Sequence, residues 1–204
     1  MKTLIAVPCM DQVPAQFAQS LATIQHVDQT VVAFQIGSLV YTSRNDLVKH
    51  AIVQEADYIF WLDSDMMFAP DTMVRMFEGL KHGDIVSGLY FRRVAPFSPV
   101  LFKTLDIDGN ECKTAEVDEI PDDYFEIAGC GFGCVLMPTN VAMDVLGKYG
   151  PPFNPYFGVG EDLSFCWRAR QLGYKIVCDP KITLGHVGHH VITKEFYDSY
   201  KQWR

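Results

Sequence analysis

The sequence predicts an α/β fold wound on both faces of a largely parallel sheet, and three observations predict it. Short β-prone apolar runs alternate with segments of helical periodicity over the first ninety residues, a β-α-β-α-β-α-β pattern. Tyr58-Ile59-Phe60-Trp61-Leu62 is a continuous apolar run, as suits a parallel strand covered on both faces. That run stops abruptly at Asp63-Ser64-Asp65, at the carboxyl end of the strand, where open α/β sheets bind ligands.

The elements follow in order. Leu4 to Val7 reads as the first buried strand, ended by Pro8, with Cys9-Met10-Asp11 on the ligand side. Gln12 to Gln25 is a predicted helix, with Phe17, Leu21 and Ile24 at i, i+4, i+7. Val31 to Ile36 is the second strand, broken by Gly37-Ser38. Thr42 or Ser43 then caps a helix running to about Glu55, whose apolar face is Leu47, Val48, Ala51 and Ile52. In that reading Arg44 falls in the first turn, where the helix dipole disfavours a cation unless an anion such as a nucleotide diphosphate pairs with it; a surface ion pair with Asp46 or Glu55 is the plain alternative. After the central strand, Pro70-Asp71 opens a helix to about Leu80 with Met73, Met76, Phe77 and Leu80 as its core face, and Asp84 to Gly88 is the next strand.

The pattern then changes. Val100 to Lys103 and the Asp108-Gly109 turn form a β-hairpin, and Ala115 to Asp123 is an acidic surface loop. Tyr124 to Ala128 and Cys134 to Met137 are short strands flanking Gly129-Cys130-Gly131-Phe132-Gly133. Three alternate glycines allow close backbone approach to a ligand, or form a bulge without one. Pro138 to Leu146 is a short helix, and a second runs from about Leu163 to Leu172 and stops at Gly173. Glu161 and Asp162 stand at its N-terminus, a placement that capping alone explains. Lys175 to Cys178 is the last core strand, followed by Gly185-His186-Val187-Gly188-His189-His190, three histidines that could ligate a metal. Phe196, Tyr200 and Trp203 at i, i+4, i+7 predict a C-terminal helix docked on the body.

Composition excludes several classes. At 204 residues the chain is long enough for one domain with a sizeable core. Apolar residues make up 49% and charged residues 21%, which argues against disorder. A net charge of -8 without a Lys/Arg cluster argues against strong non-specific nucleic-acid binding. None of the six cysteines forms a C-x-x-C pair, so they read as buried thiols of a reducing, cytoplasmic setting rather than zinc ligands. The apolar part of the N-terminus is too short for a signal peptide, and no stretch approaches the roughly 20 apolar residues of a membrane span.

Asp63 and Asp65, at i and i+2 of an extended segment, can face one cation together, and their repulsion calls for one. Spacing alone is weak, since 17 aspartates in 204 residues produce about one such triplet by chance. Asp106-Ile107-Asp108 is another, and its neighbours Gly109-Asn110 mark it as a polar hairpin turn. Context separates the two, although an ordinary strand-end turn remains open for Asp63 and Asp65.

Taken together, the ordered pieces resemble a GT-A glycosyltransferase of the family 2 type: the strand ending in Val7-Pro8, the Ser43-Arg44-Asn45 helix start, Trp61-Leu62-Asp63-Ser64-Asp65, the glycine segment through Gly131, Gly160-Glu161-Asp162-Leu163 with Trp167-Arg168 beyond it, and Gly185-His186. The resemblance implies a GT-A, Rossmann-like mixed sheet over residues 1–204. Residues 1–90 would form the nucleotide-binding half, and 91–204, with the small hairpin, the acceptor and catalytic half. It implies transfer of a sugar from a nucleotide-diphosphate sugar, a UDP-sugar being favoured, to an acceptor hydroxyl with inversion. Asp65 would bind Mn²⁺ or Mg²⁺, Asp63 the ribose and the metal shell, and His186 would complete the coordination. Pro8, Arg44, Ser64 and Gly131 would line the donor site. Asp162 would be the general base and Glu161 its partner or an acceptor contact, with Trp167 shaping the pocket. Gln35-Ile36-Gly37-Ser38 stands where many members carry a base-contacting acid, so the nucleotide base is open. The acceptor, whether glycan, protein, lipid or modified nucleotide, is open too. The competing readings are a catalytically silent nucleotide-sugar binding module, a haloacid-dehalogenase-like phosphatase, for which Met67 stands in place of the expected Thr, and a sugar nucleotidyltransferase, which lacks its glycine-rich loop after Val7.

Overall fold

A computed structural model describes residues 1–108, 111–188 and 191–202. In chain order the elements are β1 (Lys2–Cys9), α1 (Ala15–Thr23), β2 (Gln29–Ile36), α2 (Val40–Val53), β3 (Tyr58–Leu62), β4 (Met66–Met67), α3 (Thr72–Gly79), β5 (Ile85–Leu89), β6 (Leu101–Asp108), β7 (Glu111–Glu116), β8 (Phe125–Glu126), β9 (Gly129–Cys130), β10 (Cys134–Pro138), α4 (Thr139–Tyr149), α5 (Glu161–Gln171), β11 (Ile176–Thr183), β12 (Gly185–His186) and α6 (Lys194–Gln202).

Seven strands form the main sheet in the order β2-β1-β3-β10-β5-β11-β8. β1 pairs in parallel with β2 and β3, and β11 in parallel with β5. β10 runs antiparallel between β3 and β5, so the sheet is mixed and draws strands from both halves of the sequence. Side chains alternate across each strand. Leu4, Ala6, Ile59 and Trp61 enter the layer beneath α2, α4 and α5, while Ile5, Val7, Phe60 and Leu62 enter the layer with Phe17 of α1 and Met73 and Met76 of α3. Two apolar faces on one run are why Tyr58 to Leu62 reads as uninterrupted.

Two small sheets attach to this body. β7-β6-β9 carries the hairpin, with Asp106 and Asp108 exposed at its end, as a turn-flanking triplet should be. β12 pairs antiparallel with β4, setting His186 opposite Met66.

Several expectations need correction. α2 begins at Val40, ahead of Thr42 and Ser43, and neither caps it: the Ser43 N–H donates to the Leu39 carbonyl at 3.1 Å, so the chain turns helical straight from Gly37-Ser38. Arg44 therefore lies beyond the first turn, and its charge is answered from outside the helix. α5 begins at Glu161 rather than Leu163, so both carboxylates belong to the helix itself. Of the acidic segment, residues up to Glu116 are strand and Val117 is buried. In α6 the buried residue is Tyr197, stacked on Phe91 at 4.4 Å, while Phe196 and Tyr200 contact Phe97; Trp203 lies outside the described residues. All six cysteines are unpaired thiols. Among the described residues no helix is long and apolar enough to cross a membrane.

Candidate active site

The carboxyl ends of β1, β2, β3 and β5 open into one cleft of about 550 Å³. Pro8, Cys9, Gly37 and Ser38 form one end of it, and Asp63, Ser64, Asp65 and His186 form its floor. Glu161 and Asp162 reach it from the start of α5. Of the nine residues expected at the site, eight line this cleft. Gly131 does not: a Cβ there would fall 2.1 Å from the Tyr90 hydroxyl, so its missing side chain makes room for Tyr90 rather than for a ligand. Phe132 supplies the cleft wall instead. Trp167 stacks on Tyr156 at 5.3 Å, away from the cleft lining. His189 and His190 lie outside the described residues.

Arg44 ties the two acidic motifs together. Its Nη2 donates to Asp63 Oδ1 at 2.8 Å and its Nε to Glu161 Oε1 at 3.4 Å, 117 residues along the chain. The guanidinium is 3% exposed, with Trp61, Phe132 and Phe153 rings 5.4–5.8 Å from its carbon. Its Nη1 has no hydrogen-bond partner among the described residues. Phe153 is set in place by Asn45, whose Oδ1 accepts the Phe153 N–H at 2.9 Å, and by Arg168, which donates to the Pro152 and Asn154 carbonyls. The stiff Gly150-to-Pro155 loop thus completes an aromatic cage around one cation. Burial works against that charge, but Asp63, Glu161 and Asp162 outweigh it and raise the Arg44 pKa, so it stays a fixed cation.

The two strand-end aspartates differ. Burial pushes Asp63 above the usual carboxylate range, with Arg44 only partly opposing and Asp65 adding repulsion. For Asp65 burial is outweighed by His186 and Arg93, which hold it below that range. His186 Nε2 lies 3.4 Å from Asp65 Oδ2, and its Nδ1 faces the Phe91 carbonyl at 2.8 Å. A carbonyl only accepts, so Nδ1 carries a proton and donates to it, and Nε2 is the ring nitrogen that faces the carboxylate. Two electron-rich atoms so placed suit a proton or a cation between them. The β4–β12 pairing and the Val187 N–H donated to the Asp65 carbonyl at 2.8 Å bring these distant residues together.

Asp162 is perturbed as well. Burial, then the neighbouring Glu161 charge, raise it to about 6, against a Leu163 N–H that favours the carboxylate at 2.7 Å. A carboxylate that holds its proton so readily is suited to take one from a substrate.

An oxygen and an oriented imidazole nitrogen side by side fit the donor set of a borderline divalent ion such as Mn²⁺. Asp63 is committed to Arg44, however, and among the described residues no three His, Cys, Asp or Glu side chains converge as a metal group. The expected trio thus divides into a pair, Asp65 and His186, and a separate Asp63.

Tyr90 and Arg93 were not singled out in the sequence. Tyr90 is buried yet lines the cleft, and its hydroxyl accepts the Gly133 N–H at 3.1 Å; Arg93 pairs with Asp65 at 3.0 Å. Both follow the carboxyl end of β5, and the strand-end rule that marked Asp63 and Cys9 would have marked them as well.

No protein-family profile and no curated protein sequence matches the chain. Solved structures do. The crystal structure of A197 from STIV superposes with a TM-score of 0.67 at 17% identity, over 96% of this chain and 91% of that one. GalNAc-T7 with UDP, GalNAc and Mn²⁺ superposes with a TM-score of 0.64 at 9% identity, over 92% of this chain and 44% of that one, so the chain spans less than half the length of that neighbour. At these identities the likeness is one of backbone, and the backbone is a GT-A-like, Rossmann-type mixed α/β fold.

Proposed function

We propose that this chain is a metal-dependent glycosyltransferase that moves a sugar from a nucleotide-diphosphate sugar, a UDP-sugar being favoured, to an acceptor hydroxyl with inversion. One observation carries the reading: a desolvated carboxylate with a pKa raised to about 6 faces the same cleft as the strand-end aspartates and His186. A distant neighbour of the same fold holding UDP and Mn²⁺ supports the donor class.

Asp65 and His186 would hold Mn²⁺ or Mg²⁺, the donor diphosphate supplying further oxygens. Such an ion stabilises the charge of the departing nucleoside diphosphate as a Lewis acid. The chain's own residues do the rest. Asp162 Oδ1 takes the Leu163 N–H, which leaves Oδ2 for the acceptor hydroxyl proton as that oxygen attacks the anomeric carbon. Glu161, held by Arg44, fixes the first turn of α5 and keeps Asp162 from ionising too easily. Arg44 is thereby a positioning residue rather than a nucleotide contact. Pro8, Cys9, Gly37 and Ser38 offer the flat, uncharged end of the cleft to the nucleoside.

Thermal shift with UDP, GDP, CMP and TDP, each with and without Mn²⁺, tests the reading. One nucleotide should stabilise the protein only when Mn²⁺ is present, by about 2.7 kcal/mol at 100 times its Kd. No shift with any pair removes the donor site. An anomeric configuration retained in the product removes Asp162 as base of an inverting transfer.

A further inference from the structure

The cleft holds two arginines, and they differ in what decides whether a side chain can move. Arg44 is caged and twice paired. Arg93 is 47% exposed, pairs with Asp65 at 3.0 Å, and donates to the Val187 carbonyl at 3.2 Å. It rises from the turn that links β5 to β6. The base of this turn is fixed: Phe91 pairs with Pro99, and the Arg92 N–H donates to the Ser98 carbonyl at 2.9 Å. Phe97 sits at a φ of 54°, which a non-glycine residue adopts only when its surroundings hold it, and here Phe196 and Tyr200 of α6 do. An anchored backbone thus presents one half-exposed guanidinium to the cleft floor.

Charge requires that guanidinium. Four carboxylates line the cleft (Asp63, Asp65, Glu161 and Asp162), and the buried cation Arg44 is spent on two of them. Arg93 gives Asp65 its counter-charge at Oδ2, the same oxygen that faces His186 Nε2. A half-exposed ion pair of this kind is weak, whereas a divalent ion with a carboxylate and an imidazole on hand binds more strongly. A guanidinium fork also matches phosphate oxygens in pairs.

We infer that Arg93 and the divalent ion compete for Asp65, and that the guanidinium so released binds the diphosphate of the donor. This rests on the donor-site reading above. Arg93 is then a binding residue for a nucleoside diphosphate, held on Asp65 until the ion arrives.

The test uses Arg93→Ala and Arg93→Lys, with Arg92→Ala as control, since Arg92 leaves the same turn toward Glu116 at 2.8 Å. Free Mn²⁺ is followed by electron paramagnetic resonance without nucleotide, and UDP binding at saturating Mn²⁺ by calorimetry. Arg93→Ala should bind Mn²⁺ alone about 2–5-fold tighter, because no resident cation must leave. It should bind UDP about 10-fold or more weakly, with Arg93→Lys between it and the parent. Arg92→Ala should match the parent in both. Mn²⁺ affinity that is unchanged or lower in Arg93→Ala overturns the competition, and equal UDP affinity in parent and Arg93→Ala overturns the diphosphate contact. If the parent chain takes up no UDP with or without Mn²⁺, the donor-site reading has itself failed and the assignment of Arg93 fails with it.

Discussion

Replacing Asp162 with Asn should make the protein more stable and inactive, and the gain should depend on pH in a way that identifies its cause. In the folded chain Asp162 is raised to about 6 from an ordinary 3.8, first by burial and then by Glu161. The folded state therefore holds a proton that the unfolded chain has released between about pH 4 and pH 6, and stability falls as pH rises through that window. Two pKa units correspond to about 3 kcal/mol at neutral pH. The carboxylate borders an open cleft whose water screens part of that cost, so about 1–3 kcal/mol is the expected penalty. Asn keeps the shape and can still accept the Leu163 N–H, but carries no charge. For a chain of this size the gain raises Tm by roughly 2–10 °C at pH 7.5. At pH 4 the parent is protonated at this position, and the two proteins should melt together. Melting curves of both proteins across pH 4–8 make the measurement, and sugar transfer is read on the same samples. The parent's transfer rate should fall below about pH 6 as the base is protonated. An Asn variant no more stable at pH 7.5, or equally stabilised at pH 4, refutes the desolvation argument; one that still transfers sugar at the parental rate refutes the base assignment.

Other substitutions probe the rest of the site. Asp65→Ala should abolish the Mn²⁺-dependent nucleotide shift while moving the ligand-free melting point by no more than about 1 kcal/mol, because the pair it breaks is half-exposed; thermal shift reads both. Arg44→Met should destabilise by about 2–4 kcal/mol in urea unfolding, since it strands Asp63 and Glu161 without their cation, and the loss should shrink as pH falls and Asp63, already raised by burial, takes up a proton. Gly131→Ala should cost about 1–3 kcal/mol because its methyl group would meet the Tyr90 hydroxyl. Adding Tyr90→Phe removes that atom, so the double variant should lose clearly less than the sum of the two singles, and equilibrium unfolding of all four proteins measures the difference.

What could be read beforehand was what one segment dictates by itself. Two interleaved apolar faces on Tyr58 to Leu62 mark a strand buried on both sides, and a buried strand must stop where charge begins, which locates Asp63 and Asp65 without reference to any other part of the chain. Glu161 and Asp162 were legible for the same reason, at a helix start where carboxylates are locally stabilised. Arg44 was named, but its role was not legible, because nothing in Ser43-Arg44-Asn45 says that the guanidinium turns inward. That is settled by three rings and two carboxylates supplied by segments up to 117 residues away. The misplaced helix start made matters worse, since a first-turn cation invites an incoming anion, whereas a caged one already has its anions. The glycines around Phe132 misled in the opposite sense. Small residues advertise close approach but not by what, and at Gly131 it is the protein's own Tyr90 that comes close. For the expected trio of metal ligands, i, i+2 spacing puts two carboxylates on one side of a strand, but it could not show that Asp63 pairs with a buried arginine while Asp65 faces His186. Asp63 is joined through Arg44 to Glu161, so one buried cation ties the end of β3 to the first turn of α5. Asp65 bears electrostatically on Asp63, and Asp63 and Arg44 in turn on Asp162, an arrangement that no single segment of the sequence displays.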